Sequence, residues 1–371
     1  MVYNGNDSGD GLKSGDGLNS GNRRYAMTSE TESIQWFPGH MAKTRRLMTE
    51  NLRLVDVVVE MIDARLPQSS RNPLINELAG AKPRVLVMAK ADLAEEAYNR
   101  AWVAFFREQG IAAIPCDLKG KNASRDIKAV AEEIRARSLP ALARRSARGI
   151  NDRTVRAMIT GIPNVGKSTL INRFSGRTSA KTADRPGVTK GKQWVKMEND
   201  IDLLDMPGIL WPNLEDREAA RKLAVTGAIG ENAYSQLDLV LWAISWLRAR
   251  RPGRIESRYG VDETTGEKRL ADYEAQAGLD PGASQRLADP SRADLNRVDP
   301  GRVSEDNRAG EDIRTYDNES LTVLENIGRK RGFLRKGGVV ELDKTAAVAL
   351  DELRGGKLGR ITWDEPPAMN D

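Results

Sequence analysis

"TVRAMITGIPNVGKSTLINRFS", residues 154–175, decides the fold. An apolar strand runs into a glycine-containing turn, and helical periodicity follows at once. Within it, "GIPNVGKST" (161–169) has the form G-x-x-x-x-G-K-[ST] in the strand–turn–helix context that the pattern requires. Glycines let backbone N–H groups curl around phosphates, and the N-terminus of the following helix adds partial positive charge. Pro163, Asn164, Val165, Gly166, Lys167, Ser168 and Thr169 are therefore expected to bind nucleotide. Lys167 would reach the β- and γ-phosphates, and Ser168 would ligate Mg²⁺.

Upstream, "VDVVVEMIDARLP" (55–67), "RVLVMAKADL" (84–93) and "IAAIPC" (111–116) read as apolar strands separated by helical segments. Continuous apolar strands alternating with helices imply a parallel sheet covered on both faces. "DIDLLDMPGIL" (200–210) is a further strand, ending in Asp205 and Gly208 with D-x-x-G spacing. Asp205 is expected at the metal, and the Gly208 amide at the γ-phosphate. Between this strand and the glycine loop, "DRPGVTKG" (184–191) offers Thr189 as a second metal ligand.

Beyond residue 214 the periodicity becomes helical, over 215–263 and again over 319–362. Residues 264–318 are rich in Asp, Arg, Gly, Ser and Pro and read as a flexible insertion. Residues 1–30, with the repeated "SGDGL", have too little apolar side chain to offset chain entropy and read as a disordered tail, with Met27 as an alternative start. The region carrying the phosphate loop and its sheet is thus 31–214.

Composition narrows the class. The formal net charge of +5 fits an anionic partner as readily as a solvated surface. The one cysteine, Cys116, cannot close an internal disulfide, which suits a reducing cytoplasm. The longest apolar run, "LDLVLWAISWL" (237–247), is shorter than the ~20 residues of a membrane span. No apolar stretch near the N-terminus resembles a secretory signal.

Base preference is written before the phosphate loop. No N-K-x-D follows that loop, but "MAKADL" (88–93) places Lys90 and Asp92 at a strand end, with Ala89 where asparagine belongs. Asp92 can accept from the N1 and N2 donors of guanine, which adenine lacks. A plain strand-end turn is the other reading. His40, the single histidine, stands in "IQWFPGHMAKTRR", on a helix that could face RNA or the core, or could bring a titrating group to the chemistry.

With the base motif ahead of the phosphate loop and His40 ahead of both, the chain resembles the YlqF/RbgA family of circularly permuted ribosome-assembly GTPases. The resemblance rests on "IQWFPGHMAK", "DARLPQSSRNP", "GIPNVGKSTLIN", "DRPGVTKGKQWVK", "LLDMPGILWP", "LAVTGAI", "RYGVDE", "IGRKRGFLRKGG" and "ELRGGKLGRITW". It covers most of 33–263 and about 319–362. It implies a circularly permuted P-loop GTPase domain with a doubly wound, mostly parallel sheet, followed by a small all-helical C-terminal domain. It also implies a monomeric, cytoplasmic enzyme that binds GTP and GDP with Mg²⁺. Its partner would be the large (50S) ribosomal subunit precursor, through rRNA and ribosomal proteins. Docking would occur in the GTP state, with hydrolysis stimulated by the subunit and followed by release.

In small GTPases a glutamine after D-x-x-G orients the attacking water. Ile209 holds that place, and the resemblance implies that His40 supplies the function. It further implies a K⁺ ion beside Asn164, a fifth guanine element around Cys116 and Asp117, and an rRNA-facing surface at Arg329, Lys330, Arg331, Arg335 and Lys336. Two alternatives stay open: an RNA-binding placeholder with weak turnover, and a GTPase acting on another RNA such as tRNA.

Overall fold

The computed structural model describes residues 39–175, 193–197, 200–206, 208, 216–263 and 317–367, all within one unit spanning residues 34–371. The expected tail 1–30 and residues 264–316 of the expected insertion lie outside the described residues. For positions 39–44, 193, 317 and 318 only the backbone is described.

Six strands form one sheet in the order β3-β2-β1-β4-β6-β5: β1 (Val57–Asp63), β2 (Arg84–Ala89), β3 (Ala112–Cys116), β4 (Val155–Gly161), β5 (Gln193–Lys196) and β6 (Ile201–Asp205). All neighbours are parallel except the edge pair β5–β6. The chain steps outward from β1 to β3. Helix α4 (Ala123–Ala147) then carries it back to the centre at β4, after which it visits the far edge at β5 and returns inward to β6. The reversal falls between β1 and β4, so the crevice at the carboxyl ends of these two strands is where a doubly wound sheet takes its ligand.

Every residue of β1 is buried, as expected for a strand covered on both faces. Val58 and Ile62 pack under α1 (Gly39–Leu52), α2 (Pro73–Ala79) and α3 (Glu96–Glu108), through Met48, Leu52, Ile75, Trp102 and Phe106. Val57, Val59 and Met61 face α4 and α5 (Lys167–Phe174), through Val130, Ile134, Leu170 and Ile171. Local chemistry sets the helix ends. Asn72 accepts from the Leu74 N–H at 2.9 Å and Pro73 opens α2, a favoured start because proline has no N–H to leave unpaired.

Two elements depart from the sequence expectation. Helix α4 continues past Pro140 instead of stopping near residue 138. Its last turns are held from outside the helix ladder by Arg145, which bonds Asp56 Oδ2 and the Thr154 carbonyl at 3.0 and 2.8 Å. Strand β5 has no signature of its own: four residues pair antiparallel to β6 along a sheet edge.

After β6 come α6 (Arg217–Val225), α7 (Gln236–Arg250), α8 (Arg254–Tyr259), α9 (Asp317–Arg331) and α10 (Leu342–Arg354). Their apolar faces join the core that runs on from the sheet. Trp363 is buried there, its ring centroid 4.4 Å from that of Trp246. Truncating such an aromatic to alanine costs about 3–5 kcal/mol. Segment 361–364 then returns to the sheet: the Ile361 N–H donates to Leu93 O and the Trp363 N–H to Arg65 O, at 3.0 and 2.8 Å. Asp364 accepts from the Gln68 and Ser69 N–H groups at 2.9 and 2.6 Å and lies 3.2 Å from Lys222 Nζ.

Candidate functional site: the crevice between β1 and β4

The glycine loop leaves β4 at Gly161, where a Cβ would run into the Met61 carbonyl oxygen of β1, so only glycine lets the two strands approach this closely. The loop turns through Asn164 (φ +56) and Gly166 (φ +105) before α5 begins at Lys167. Glycine holds the left-handed geometry without a Cβ penalty, and asparagine tolerates it. Pro163 and Val165 are buried beneath the turn, while Ser168 and Thr169 stand half-buried in the first turn of α5. Asn164 donates through Nδ2 to Gly227 O at 2.8 Å, tying the loop to the segment after α6 and leaving its amide oxygen as an acceptor.

At the foot of the loop, Lys167 Nζ lies 2.7 Å from Asp205 Oδ1, both side chains almost wholly enclosed. Gly208 closes against the same turn, where a Cβ would come within 3.2 Å of Pro163 Cα and N. The glycine loop and the D-x-x-G strand end therefore meet. A hydroxyl (Ser168) and a carboxylate (Asp205) are hard oxygen donors. They fit Mg²⁺, which takes one or two carboxylates, keeps several waters and shares substrate phosphates. Among the described residues no group of three or more His, Cys, Asp and Glu side chains forms an all-protein metal cage. Thr189 and the His40 side chain lie outside the described residues.

His40 is the second residue of α1. Further along that helix, Met48 and Leu52 pack with Leu204 and Met206, and Asn51 Nδ2 donates to Met206 Sδ at 3.4 Å. The helix bearing the single histidine is thereby seated on the segment that leads into Gly208.

Lys90 ends β2 in the left-handed region at φ +59, a conformation that costs an ordinary residue about 1–2 kcal/mol. An ion pair holds it there, with Lys90 Nζ 3.0 Å from Asp63 Oδ2. Asp63 also takes a two-pronged contact from Arg65, at 2.9 Å from Nε and 2.8 Å from the terminal nitrogen. Burial alone would raise the Asp63 carboxyl; the two cations outweigh it and hold the group well below the usual carboxylate range. Arg65 continues to the Thr226 and Arg354 carbonyls at 3.3 Å. The string "DARLPQSSRNP" carries part of the family resemblance, yet sequence reading assigns neither Asp63 nor Arg65 a task. Their signal is an acid and a base two residues apart at a buried strand end.

Asp92 lies exposed in the turn that follows. Partial desolvation and then the Asp117 carboxylate raise its pKa. Ala89, where an asparagine would serve guanine, is fully buried in the core. The Cys116 thiol is also buried, its pKa pushed to about 12 by desolvation. Asp117 accepts from the Lys119 and Gly120 N–H groups at 3.0 and 2.8 Å, so its carboxylate braces its own turn. What the 116–120 segment offers a ligand is mainly its backbone. Its Leu118 would touch a Cβ at Gly166 at 3.5 Å, which places this turn beside the glycine loop.

The five expected RNA-facing cations divide. Lys330 donates to Gly260 O at 2.6 Å, and Arg331 pairs with Glu352 at 2.9 Å over the Tyr259 ring, so both brace α8. Among the described residues Arg329 pairs with Glu325 alone, on an exposed helix face. Arg335 and Lys336 stand in the turn of a short hairpin, where the Gly338 N–H donates to Arg335 O at 3.0 Å and Leu334 bridges Val340. Gly337 and Gly338 (φ +90 and +76) make that turn possible.

Residues 156–275 match the family of 50S ribosome-binding GTPases. The chain is 38% identical over 333 residues to ribosome biogenesis GTPase A of Bacillus cereus, with 90% of this chain and 94% of that one covered. Mitochondrial ribosome-associated GTPase 1 of Xenopus tropicalis is 32% identical over 312 residues, covering 80% and 94%. Among solved structures, GDP-bound TM YlqF superposes with a TM-score of 0.52 at 23% identity over 86% of this chain and 99% of that one, a likeness of fold.

Proposed function

Because the chain belongs to the ribosome biogenesis GTPase A family, and is a GTP hydrolase of ribosome assembly, we propose that its substrate particle is the immature large subunit, in late assembly. In this reading the GTP-bound protein docks on pre-50S rRNA and ribosomal proteins as a monomer in the cytoplasm. Contact with the particle stimulates hydrolysis, and hydrolysis releases the factor.

The observation that carries the reading is the enclosed 2.7 Å Lys167–Asp205 pair at the foot of a loop against which Gly208 closes. It brings a phosphate-binding cation, a metal-facing carboxylate and a γ-phosphate amide into one crevice. The loop N–H groups from Asn164 to Thr169 cradle the phosphates, Pro163 shapes the turn without an N–H of its own, and Lys167 binds the β- and γ-oxygens. Ser168, Asp205 and Thr189 would hold Mg²⁺, which when bound would offset negative charge on the phosphoryl oxygens. The Asn164 oxygen takes K⁺. Asp92 reads guanine, with Lys90 and the 116–117 backbone shaping the base pocket. His40 orients the attacking water, since α1 is seated on the strand end that precedes Gly208. Arg329, Arg335 and Lys336 meet rRNA phosphates, beside the exposed Lys330 and Arg331, which also brace the end of α8.

One observation favours a second reading. Ala89 is buried and offers no amide to guanine, which suits a placeholder with weak turnover. GTP hydrolysis by the full chain, measured with and without large ribosomal subunits in K⁺ and in Na⁺ buffer, separates the two. Strong stimulation in K⁺, lost in Lys167→Ala and reduced ~10²–10⁴-fold in His40→Ala, is the expected result. Binding without stimulation favours the placeholder.

A further inference from the structure

The amino ends of the strands, opposite the nucleotide crevice, carry a second feature that the proposed mechanism leaves unused. A cavity of about 510 Å³ opens between the α1–β1 turn, the α2–β2 turn and the last turns of α4. Five cations line it: Arg53, Lys82, Arg144, Arg145 and Arg148, against the single carboxylate of Asp56. The seven residues of β1 separate it from Asp63 by roughly 20 Å, at about 3.3 Å per residue, so it cannot serve the bound nucleotide.

The carboxylate is already engaged. Asp56 Oδ2 lies 3.0 Å from Arg145 and accepts from the Arg156 N–H at 2.9 Å. Lys82 Nζ donates to Val55 O at 2.8 Å, and Arg144 Nε to Pro140 O at 3.2 Å. Arg53 and Arg148 are exposed and make no side-chain hydrogen bond or ion pair among the described residues. Arginines at the end of α4 could be explained as partners of its negative helix terminus. Arg53 after α1 and Lys82 after α2 stand at helix ends in the same way, but three separate elements bring these cations to one cavity. Converging guanidinium groups that lack carboxylate partners suit phosphate oxygens, which arginine grips in two-pronged fashion.

We propose that this cavity is a second RNA-binding site, taking backbone phosphates of rRNA at the face of the GTPase domain remote from the nucleotide. The inference rests on the proposed action on ribosomal particles. It gives the protein two separated phosphate grips, one here and one at the Arg335–Lys336 hairpin.

The test compares the full chain with R53A/R148A and, as a control on the hairpin, R335A/K336A. Affinity is measured across a salt series for large ribosomal subunits and for the deproteinised rRNA extracted from them. R53A/R148A is expected to bind both probes about five- to tenfold more weakly. Its log K against log salt should be shallower by about 0.7–0.9 for each phosphate that is no longer neutralised. Its basal GTP hydrolysis should equal that of the unaltered chain. Unchanged affinity and slope for R53A/R148A, with R335A/K336A weakened, would overturn the cavity assignment and leave the proposed function standing. Weakening on particles but not on extracted rRNA would mean a ribosomal protein occupies the cavity, overturning the RNA assignment. If the unaltered chain binds neither probe, the proposed function fails and this inference falls with it.

Discussion

Lys90 Nζ sits 3.0 Å from Asp63 Oδ2, so the lysine of the turn proposed to read the base is anchored by a carboxylate on the neighbouring strand. Through Arg65 the same carboxylate is linked to the carbonyls of Thr226 and Arg354 in the helical region. One buried acid thus organises the turn after β2 and ties it to the helices.

Removing that charge leaves two cations facing each other in the interior. Asp63→Asn is expected to lower stability by about 3–5 kcal/mol in urea unfolding. The folded value of Asp63 is depressed, so its contribution is complete above the unfolded value near ~3.9 and fades as pH falls through the folded one. The gap between the two proteins should therefore stay constant from neutral pH down to about pH 5. A gap that closes within that range would remove Asp63 from this role.

Asp92 should carry guanine selection. Asp92→Ala is expected to cost about 1.5–3 kcal/mol of GTP affinity with little change for ATP. Because the pKa of Asp92 is raised, protonation begins above the ordinary carboxylate range, and GTP affinity should fall with decreasing pH sooner than for an unperturbed aspartate. Calorimetric titration with both nucleotides across pH reads the outcome. Equal losses for GTP and ATP would assign Asp92 to packing.

Glu60 lies opposite Thr160 in the β1–β4 pairing, buried, with its pKa raised by desolvation despite Arg71 and the Asn72 N–H. The folded state therefore holds this proton more tightly than the unfolded chain. Stability should decline as pH rises from the unfolded value near ~4.3 through the folded one, then level off. Glu60→Gln removes that decline, so unfolding curves should shift in favour of the variant with rising pH. A variant that tracks the unaltered chain at every pH would refute it.

The Cys116 thiol is enclosed and its pKa is about 12, so almost no thiolate exists at neutral pH. Iodoacetamide should leave it unmodified in the folded protein and label it in urea, as followed by mass spectrometry. Rapid labelling of the native protein would contradict the burial.

Local patterns made much of this molecule legible in its sequence. The glycine loop, the strand end at Asp205 and the Lys90–Asp92 turn each lie within a few consecutive residues, so the strings that mark them can be read locally even though Asp63 and Lys167 complete two of them from elsewhere. Other features depend on residues distant in sequence. Nothing near Lys330 or Arg331 announces that Gly260 and Glu352 engage them, which ties two of the five exposed cations to the end of α8 and to α10. The turn after β3 stands beside the glycine loop through Leu118, while the Cys116 side chain is buried and Asp117 braces its own turn. The basic cavity is assembled from three turns, none unusual alone.

The clasp of Asp364 on the Gln68 and Ser69 amides has a consequence for the order of events during synthesis. Ser69 and its acceptor are separated by 295 residues. At about 5–20 residues per second the loop emerges roughly 15–60 s before the carboxylate that fixes it. Throughout that interval the Gln68 and Ser69 amides lack their acceptor. The clasp can therefore close only after every described strand and helix has been made.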